Sequence, residues 1–218
     1  MTTFNKEYFF ILMPENERLP YLTPDEDTAA KQYDWEIMPL GSKPLIFYNG
    51  DYERQKRKRI TPTNPPPDVL FNGSNLVVIR RIADRLWDLE IPNLAIQPAI
   101  YIDHMNDWHE NYWFLTFTSK FDCWDREHST FNPKPSGMDA VKHKVDIYSG
   151  DNLQPMYDVY TYSLDESLLQ KTPLAERRLF EMGGTADGFV VVHKSIVDLF
   201  KVKGVDIVPI TDYGVSYP

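Results

Sequence analysis

The sequence predicts an α+β fold with a mixed, mainly antiparallel sheet, few helices and two strand–helix–strand units. Three observations support this class. Short apolar runs rich in β-branched and aromatic residues recur along the chain. Helical periodicity is confined to a few short stretches, and the order strand, amphipathic stripe, strand occurs twice. With 218 residues and 42% apolar content, the chain is long enough for one large domain or two small ones.

The first unit begins with the apolar run 76–79, which is typical of a strand. The period then changes to that of a helix over residues 80–90, with Pro92 stopping it. Residues 94–102 form the second strand. We predict that this is the longest helix and that Leu86 faces the core. The apolar stripe consists of Ile79, Ile82, Ala83, Leu86 and Leu89.

The second unit repeats this order near the carboxyl end. Residues 189–192 form its first strand, and residues 205–210 close it. Between them, an amphipathic stripe comes before Gly204, which suits a helix C-terminus. We therefore expect residues 76–101 to superpose on 189–211. The stripe is made of Ile196, Leu199 and Phe200.

The amino-terminal part contains fewer signals. Residues 8–13 form a buried strand, and residues 25–32 form a loop or a short helix. Asn49-Gly50 is a turn signal that suits a hairpin. The segment 61–68 carries four prolines and is extended. Within a single domain of residues 1–218, it marks a candidate boundary after an amino-terminal subdomain of residues 1–68.

Downstream of the first unit, residues 112–119 are the most aromatic strand candidate. Two weakly alternating segments follow, at 141–149 and 156–164. A short helix is expected at 164–172 and a strand at 176–182.

Charge restricts the class of partner. The net charge is −9, while residues 51–60 carry five Lys/Arg and two acids, a balance of +3, so the remainder holds −12. An acidic surface disfavours nucleic acid and membrane and favours a basic protein. No apolar run reaches the 18 or so residues of a membrane span, and the amino terminus lacks the features of a signal peptide. The single cysteine fits a reducing cytoplasm.

We considered four kinds of chemistry. Cys123 with His128 has the types of a nucleophile and its base, but a structural cysteine is favoured because nothing orients the pair. His104 and His109, together with the acids of the same loop, have the types of metal ligands, but an exposed turn explains them better. The basic run 54–59 suits a phosphate backbone, with a solvated loop favoured. The aromatic run suits core packing rather than base stacking. No catalytic residue, cofactor or metal is predicted.

A family resemblance points to one function. The segment YWFLTFTSKFDCWDREHS, residues 112–129, resembles the "tyrosine, aliphatics, then D-C-x-D-x-E-x-S" segment of a bacterial immunity-protein family, the eleventh numbered class of polymorphic toxin systems. Three further features follow the family's order: LVVIRRIADRLWDLEI before Gln97-Pro98-Ala99, the RRLFEM strand, and the closing VVVHKSIVDLFKVKGVDIVPI. The resemblance covers residues 70–210. It implies a cytoplasmic protein, encoded beside a secreted toxin, that binds and neutralises that toxin.

The leading hypothesis is therefore an immunity protein without catalysis. The alternatives are an enzyme with an unrecognised site and an interaction module outside toxin systems. A pocket with converging ionisable groups would favour the enzyme, and an acidic face with exposed aromatics would favour the binder. The sequence leaves the oligomeric state open.

The contact loop predicted for the toxin is 103–112, DHMNDWHENY, between two strands. It combines acids with a tryptophan, a residue type enriched at binding hot spots. The alternative is an ordinary turn whose tryptophan packs back on the core. The predicted contact residues are Asp103, Asp107, Trp108 and Glu110.

Overall fold

A computed structural model describes residues 4–136 and 155–214. These residues contain twelve strands and four α-helices, so the predicted α+β class is confirmed. The strands are β1 (Tyr8–Leu12), β2 (Leu22–Pro24), β3 (Leu45–Asn49), β4 (Val69–Asn72), β5 (Asn75–Ile79), β6 (Leu94–Ile102), β7 (Trp108–Phe117), β8 (Thr130–Phe131), β9 (Val159–Thr161), β10 (Leu179–Glu181), β11 (Val190–His193) and β12 (Asp206–Pro209). The helices are α1 (Glu26–Ala29), α2 (Tyr52–Arg57), α3 (Arg80–Trp87) and α4 (Glu166–Lys171).

The larger sheet has six strands in the order β2-β3-β6-β7-β5-β4. All of its pairings are antiparallel except that of β3 with β6. The two edges approach each other where Tyr21 bridges Phe71, and the Asn72 amide donates to the Leu22 carbonyl at 2.9 Å. The sheet therefore curls nearly closed around an aromatic-rich core that includes Phe47 and Phe114.

The smaller sheet has four antiparallel strands in the order β10-β11-β1-β12. One face of it packs against α3 and the outside of the larger sheet. The other face buries Trp124 and Cys123, together with residues of α4. Because successive strand residues point to opposite faces, the mostly apolar β1 supplies both layers.

Helix α3 fills the layer between the two sheets. Ile82, Ala83 and Leu86 are buried in it, as the stripe predicted. Among the described residues α3 is the longest α-helix. It ends at Trp87, earlier than position 90, because the following turn closes with the tighter bond from the Glu90 amide to the Trp87 carbonyl.

The two strand–helix–strand units have the same topology. Strands β5 and β6 lie on either side of β7, and strands β11 and β12 lie on either side of β1. The second helix is a four-residue 3-10 helix, Val197–Phe200, rather than an α-helix. Its apolar residues pack in the same layer as α3. The β-branched residues Ile196 and Val197 at its start lower the helix propensity, and a single turn is too short to offset the cost of starting an α-helix.

Residues before and after the Pro-rich segment 61–68 contribute strands to both sheets. Strand β1 lies between β11 and β12, and β3 pairs with β6. The Asn49-Gly50 turn does not close a hairpin. It leads into α2, because the next pairing of β3 is parallel.

The remaining expectations fall mostly where the sequence placed them. The short helix at 164–172 is confirmed by α4, and the strand in 176–182 by β10. The alternating segment 141–149 lies outside the described residues. Within the described ranges, no helix has the length and apolar character that crossing a bilayer requires.

The packing of α3 gives a stability prediction. Leu86 is 1% exposed, so Leu86→Ala should lower the free energy of unfolding by about 2–5 kcal/mol through lost burial and a residual cavity. Chemical denaturation measures this change. Arg85→Ala, on the exposed face of the same turn, should change the free energy by no more than about 0.5 kcal/mol. Equal effects of the two variants would contradict the placement of α3.

Candidate functional site

The parallel pairing of β3 with β6 brings two distant segments to one end of the larger sheet. Helix α2 follows β3, and the loop 103–107 follows β6. The rings of Tyr52 and His104 lie 5.6 Å apart and join the two segments. Residues separated by about 50 positions in the sequence therefore form one surface.

Asp103 holds the loop between β6 and β7 in a fixed shape. Its Oδ1 accepts from the backbone N–H groups of Met105 at 2.8 Å and Asp107 at 3.0 Å. Its Oδ2 lies 3.0 Å from Nε2 of His109. Asn106 takes a positive φ of 70° at the tip, which Asn tolerates better than most residues. The side chain of Asp103 is buried, so it organises the loop from beneath.

The environment of Asp103 lowers its pKa. Burial alone would raise the pKa, but the hydrogen bonds from His109 and from the backbone of Asp107 and Met105 outweigh burial. These bonds favour the charged form. The loop therefore depends on an ionised carboxylate.

The other three predicted contact residues are exposed. Trp108 is 59% exposed, so the alternative in which its ring packs back on the core does not describe the structure. Asp107 precedes it at the loop, and Glu110 follows at the β-bulge of β7. The structure thus brings the four predicted residues together, three at the surface and Asp103 below.

Tyr48 is a neighbour that the sequence did not identify. Ile102 pairs with Trp108 on one side and with Tyr48 on the other, so the three side chains form a row across the sheet. Phe47 points into the core of the larger sheet, and Tyr48 therefore points out, where it is 42% exposed. We call the exposed set of Tyr48, Asp107, Trp108 and Glu110 the hairpin face.

Helix α2 borders the hairpin face and replaces the solvated loop expected for residues 54–59. Gln55 is fully buried, and its amide donates to the backbone carbonyls of Glu17 and Leu19 at 2.8 and 3.1 Å. Its oxygen accepts from the Asn49 side chain at 2.8 Å. These hydrogen bonds of Gln55 hold α2 against residues 17–19 although the basic run 54–59 overlaps the helix.

The five cations of the basic run divide into two groups. Arg54 pairs with Asp51 at 2.6 Å and with Glu17, which also pairs with Lys58. Three others are exposed and belong to none of the ion pairs formed within the described ranges. They are Lys56, Arg57 and Arg59.

A polar groove of about 690 Å³ lies elsewhere, beside α4. His128 Nδ1 lies 2.7 Å from Asp125 Oδ2, and Asp165 caps α4 through the Leu168 amide at 3.0 Å. The backbone bond from Leu168 lowers the pKa of Asp165. At Asp125, burial alone would raise the pKa, but hydrogen bonds from His128 and from the backbone outweigh burial and lower it. Both carboxylates stay ionised near neutral pH, so neither is poised as a general acid.

Cys123 and His128 occupy different environments. Cys123 is fully buried, with Met182 Sδ 3.9 Å from its Sγ, whereas His128 is exposed beside Asp125. Burial raises the pKa of the Cys123 thiol well above its usual value. The structural role favoured for this cysteine therefore agrees with its position.

In the part of the chain that the structure describes, no three His, Cys, Asp or Glu side chains converge as a metal site would require. His104 instead contacts Tyr52, and His109 contacts Asp103. No family model matches the chain, and no curated protein matches it. The resemblance to the immunity family stays a prediction.

The position of Asp103 gives a second prediction. Asp103→Asn should destabilise the fold by about 1–3 kcal/mol at pH 7, because a neutral amide cannot accept all three bonds equally well. The folded pKa is lowered, so the carboxylate's contribution is present above its unfolded pKa of about 4 and is lost as pH falls through the folded value. Urea unfolding at pH 7 and pH 3 should show the wild-type advantage shrinking at pH 3. An advantage that grows toward pH 3 would contradict this assignment.

The burial of Cys123 gives a third prediction. A thiol reagent should leave the native protein unmodified at pH 8, because the thiol is inaccessible and protonated. The same reagent should label one thiol per chain in denaturant, since the sequence contains one cysteine. Native labelling as fast as that of the unfolded chain would show an accessible, reactive thiol and would revive the nucleophile hypothesis.

Proposed function

We propose that this protein is an immunity protein that binds a cognate secreted bacterial toxin in the cytoplasm and neutralises it by association, without catalysis of its own. The observation that carries the proposal is the hairpin face, where Trp108 and Tyr48 are exposed in one row beside Asp107 and Glu110. The family resemblance over residues 70–210 supports the same function.

The hairpin face has the properties of a protein-binding hot spot. Tryptophan and tyrosine dominate such spots, because each buries a large area with few rotatable bonds. Strand pairing holds Trp108 and Tyr48, and the buried Asp103 fixes the loop from β6 to β7 that leads to Trp108. A face that is ordered before binding loses less conformational entropy on association.

Charge indicates the kind of toxin. The net charge of −9 and the exposed acids at the tip favour a basic toxin domain, whose capture long-range attraction would accelerate. A nuclease that binds the phosphate backbone through basic residues is one example of such a toxin. An immunity protein needs tight association rather than chemistry, and the groove beside α4 holds carboxylates already committed to local hydrogen bonds.

Co-expression tests the proposal. The toxin domain encoded beside this gene should arrest growth when expressed alone, and this protein should restore growth and co-elute with the toxin in size-exclusion chromatography. Asp107→Lys with Trp108→Ala should weaken binding by about 30-fold or more, because a tryptophan hot spot contributes at least about 2 kcal/mol. Absence of both rescue and complex for the wild type would refute the function.

A matched control uses another exposed apolar segment, residues 35–40. Glu36→Lys with Leu40→Ala also removes one acid, adds one lysine and deletes an exposed apolar side chain. These residues precede β3, at the opposite end of the strand from Tyr48. The control should bind like the wild type. Loss of binding in the control, with the hairpin variant unaffected, would keep the function and move the site to residues 36–40.

A further inference from the structure

The hairpin face adjoins a surface of opposite charge. The exposed acids Asp107 and Glu110 lie after β6, at the loop and the start of β7, and the exposed cations in and just after α2 follow the parallel neighbour β3. The contact between Tyr52 and His104 fixes the two segments side by side. One end of the sheet therefore presents aromatic residues, acids and bases together.

Three cations of the basic run form no ion pair within the described ranges and are close together in the chain, and Nζ of Lys56 lies 6.0 Å from the centre of the Tyr52 ring. Arg54 and Lys58 reach Glu17, whereas Lys56, Arg57 and Arg59 lie within four positions of one another and project into solvent. Neighbouring like charges repel. The buried anchor Gln55 keeps α2 in place despite this repulsion, so the cations remain available to an incoming anionic group.

We propose that the partner's docking surface carries both signs of charge: a basic region that meets Asp107 and Glu110, an acidic region that meets Lys56, Arg57 and Arg59, and an apolar centre that takes Trp108 and Tyr48. This inference rests on the proposed function and specifies the partner of the same face. Complementary charges of two signs fix the orientation of docking, which a single sign does not. They also reject a uniformly basic surface, because α2 repels it.

Reversing the three cations distinguishes this arrangement from simple attraction between an acidic protein and a basic toxin, because the two predict opposite changes in affinity. Lys56→Glu, Arg57→Glu and Arg59→Glu together change the net charge by six, from −9 to −15. If net charge alone governs binding, this variant binds a basic toxin faster and more tightly. If the partner has an acidic region facing α2, the variant associates more slowly, and its Kd rises at least about tenfold.

The experiment measures association and dissociation of the purified toxin domain with each variant at two salt concentrations. The control replaces Lys6, Lys171 and Lys203 with Glu, which gives the same net charge of −15 from exposed positions near the smaller sheet and α4. The control should bind at least as tightly as the wild type. A neutral triple variant, Lys56→Gln with Arg57→Gln and Arg59→Gln, should have a Kd between those of the wild type and the charge reversal. Unfolding curves verify that all variants fold.

Several outcomes would overturn the inference. The first is unchanged or tighter toxin binding by the variant with all three cations changed to Glu. That outcome leaves the proposed function intact, because the function is refuted only if the wild type forms no complex and does not restore growth. A second is retention of a fluorescent RNA or DNA oligonucleotide by the wild type that the reversal abolishes while toxin binding stays constant. A third is a homodimer that the reversal dissociates with toxin binding unchanged. The last two outcomes would assign α2 to nucleic acid or to a second copy of the chain.

Discussion

The parallel pairing of β3 with β6 is the constraint on which the surface of this protein depends. All other pairings between the named strands of the two main sheets are antiparallel. An antiparallel neighbour would have sent α2 to the opposite end from the β6–β7 loop. Because the two strands run in the same direction, their carboxyl ends lie together, and each delivers a polar segment to the same place. The candidate site thus arises from a single choice of strand direction.

Buried polar side chains give the irregular segments their shape. Gln55 secures residues 17–19 and α2, and Asp103 secures the loop after β6. Gln97 does the same for a third segment, with its oxygen accepting from the Met38 amide at 2.7 Å and its amide donating to the Glu36 carbonyl at 3.3 Å. A chain with seventeen prolines has many connections without a regular hydrogen-bond ladder. Its backbone groups find partners in these side chains instead.

The difference between locally patterned elements and segments held by distant partners explains which features the sequence predicted. The stripe of α3 depends on local period alone, so Leu86 was placed correctly. The loop between β6 and β7 was predicted as a contact site because its acids and Trp108 are close together in the chain. Tyr48 was missed, since its place beside Trp108 requires the register of two pairings that no local pattern encodes. Helix α2 was missed for a related reason: Gln55 has the sequence character of a solvated residue, and only its distant partners show that it is buried.

The ionisation of three carboxylates bears on the proposed function. Asp103, Asp125 and Asp165 are held as anions by hydrogen bonds that shape the backbone around them. A general acid or base must exchange its proton near neutral pH, and such bonds oppose that exchange. A binding surface has the reverse requirement, since its charges must stay fixed in sign while the supporting loops stay rigid. Asp103 meets that requirement directly: its ionised carboxylate orders the loop that presents Asp107 and Trp108. At Asp103, the hydrogen bonds that favour the ionised carboxylate also hold the loop that carries the proposed contact residues Asp107 and Trp108.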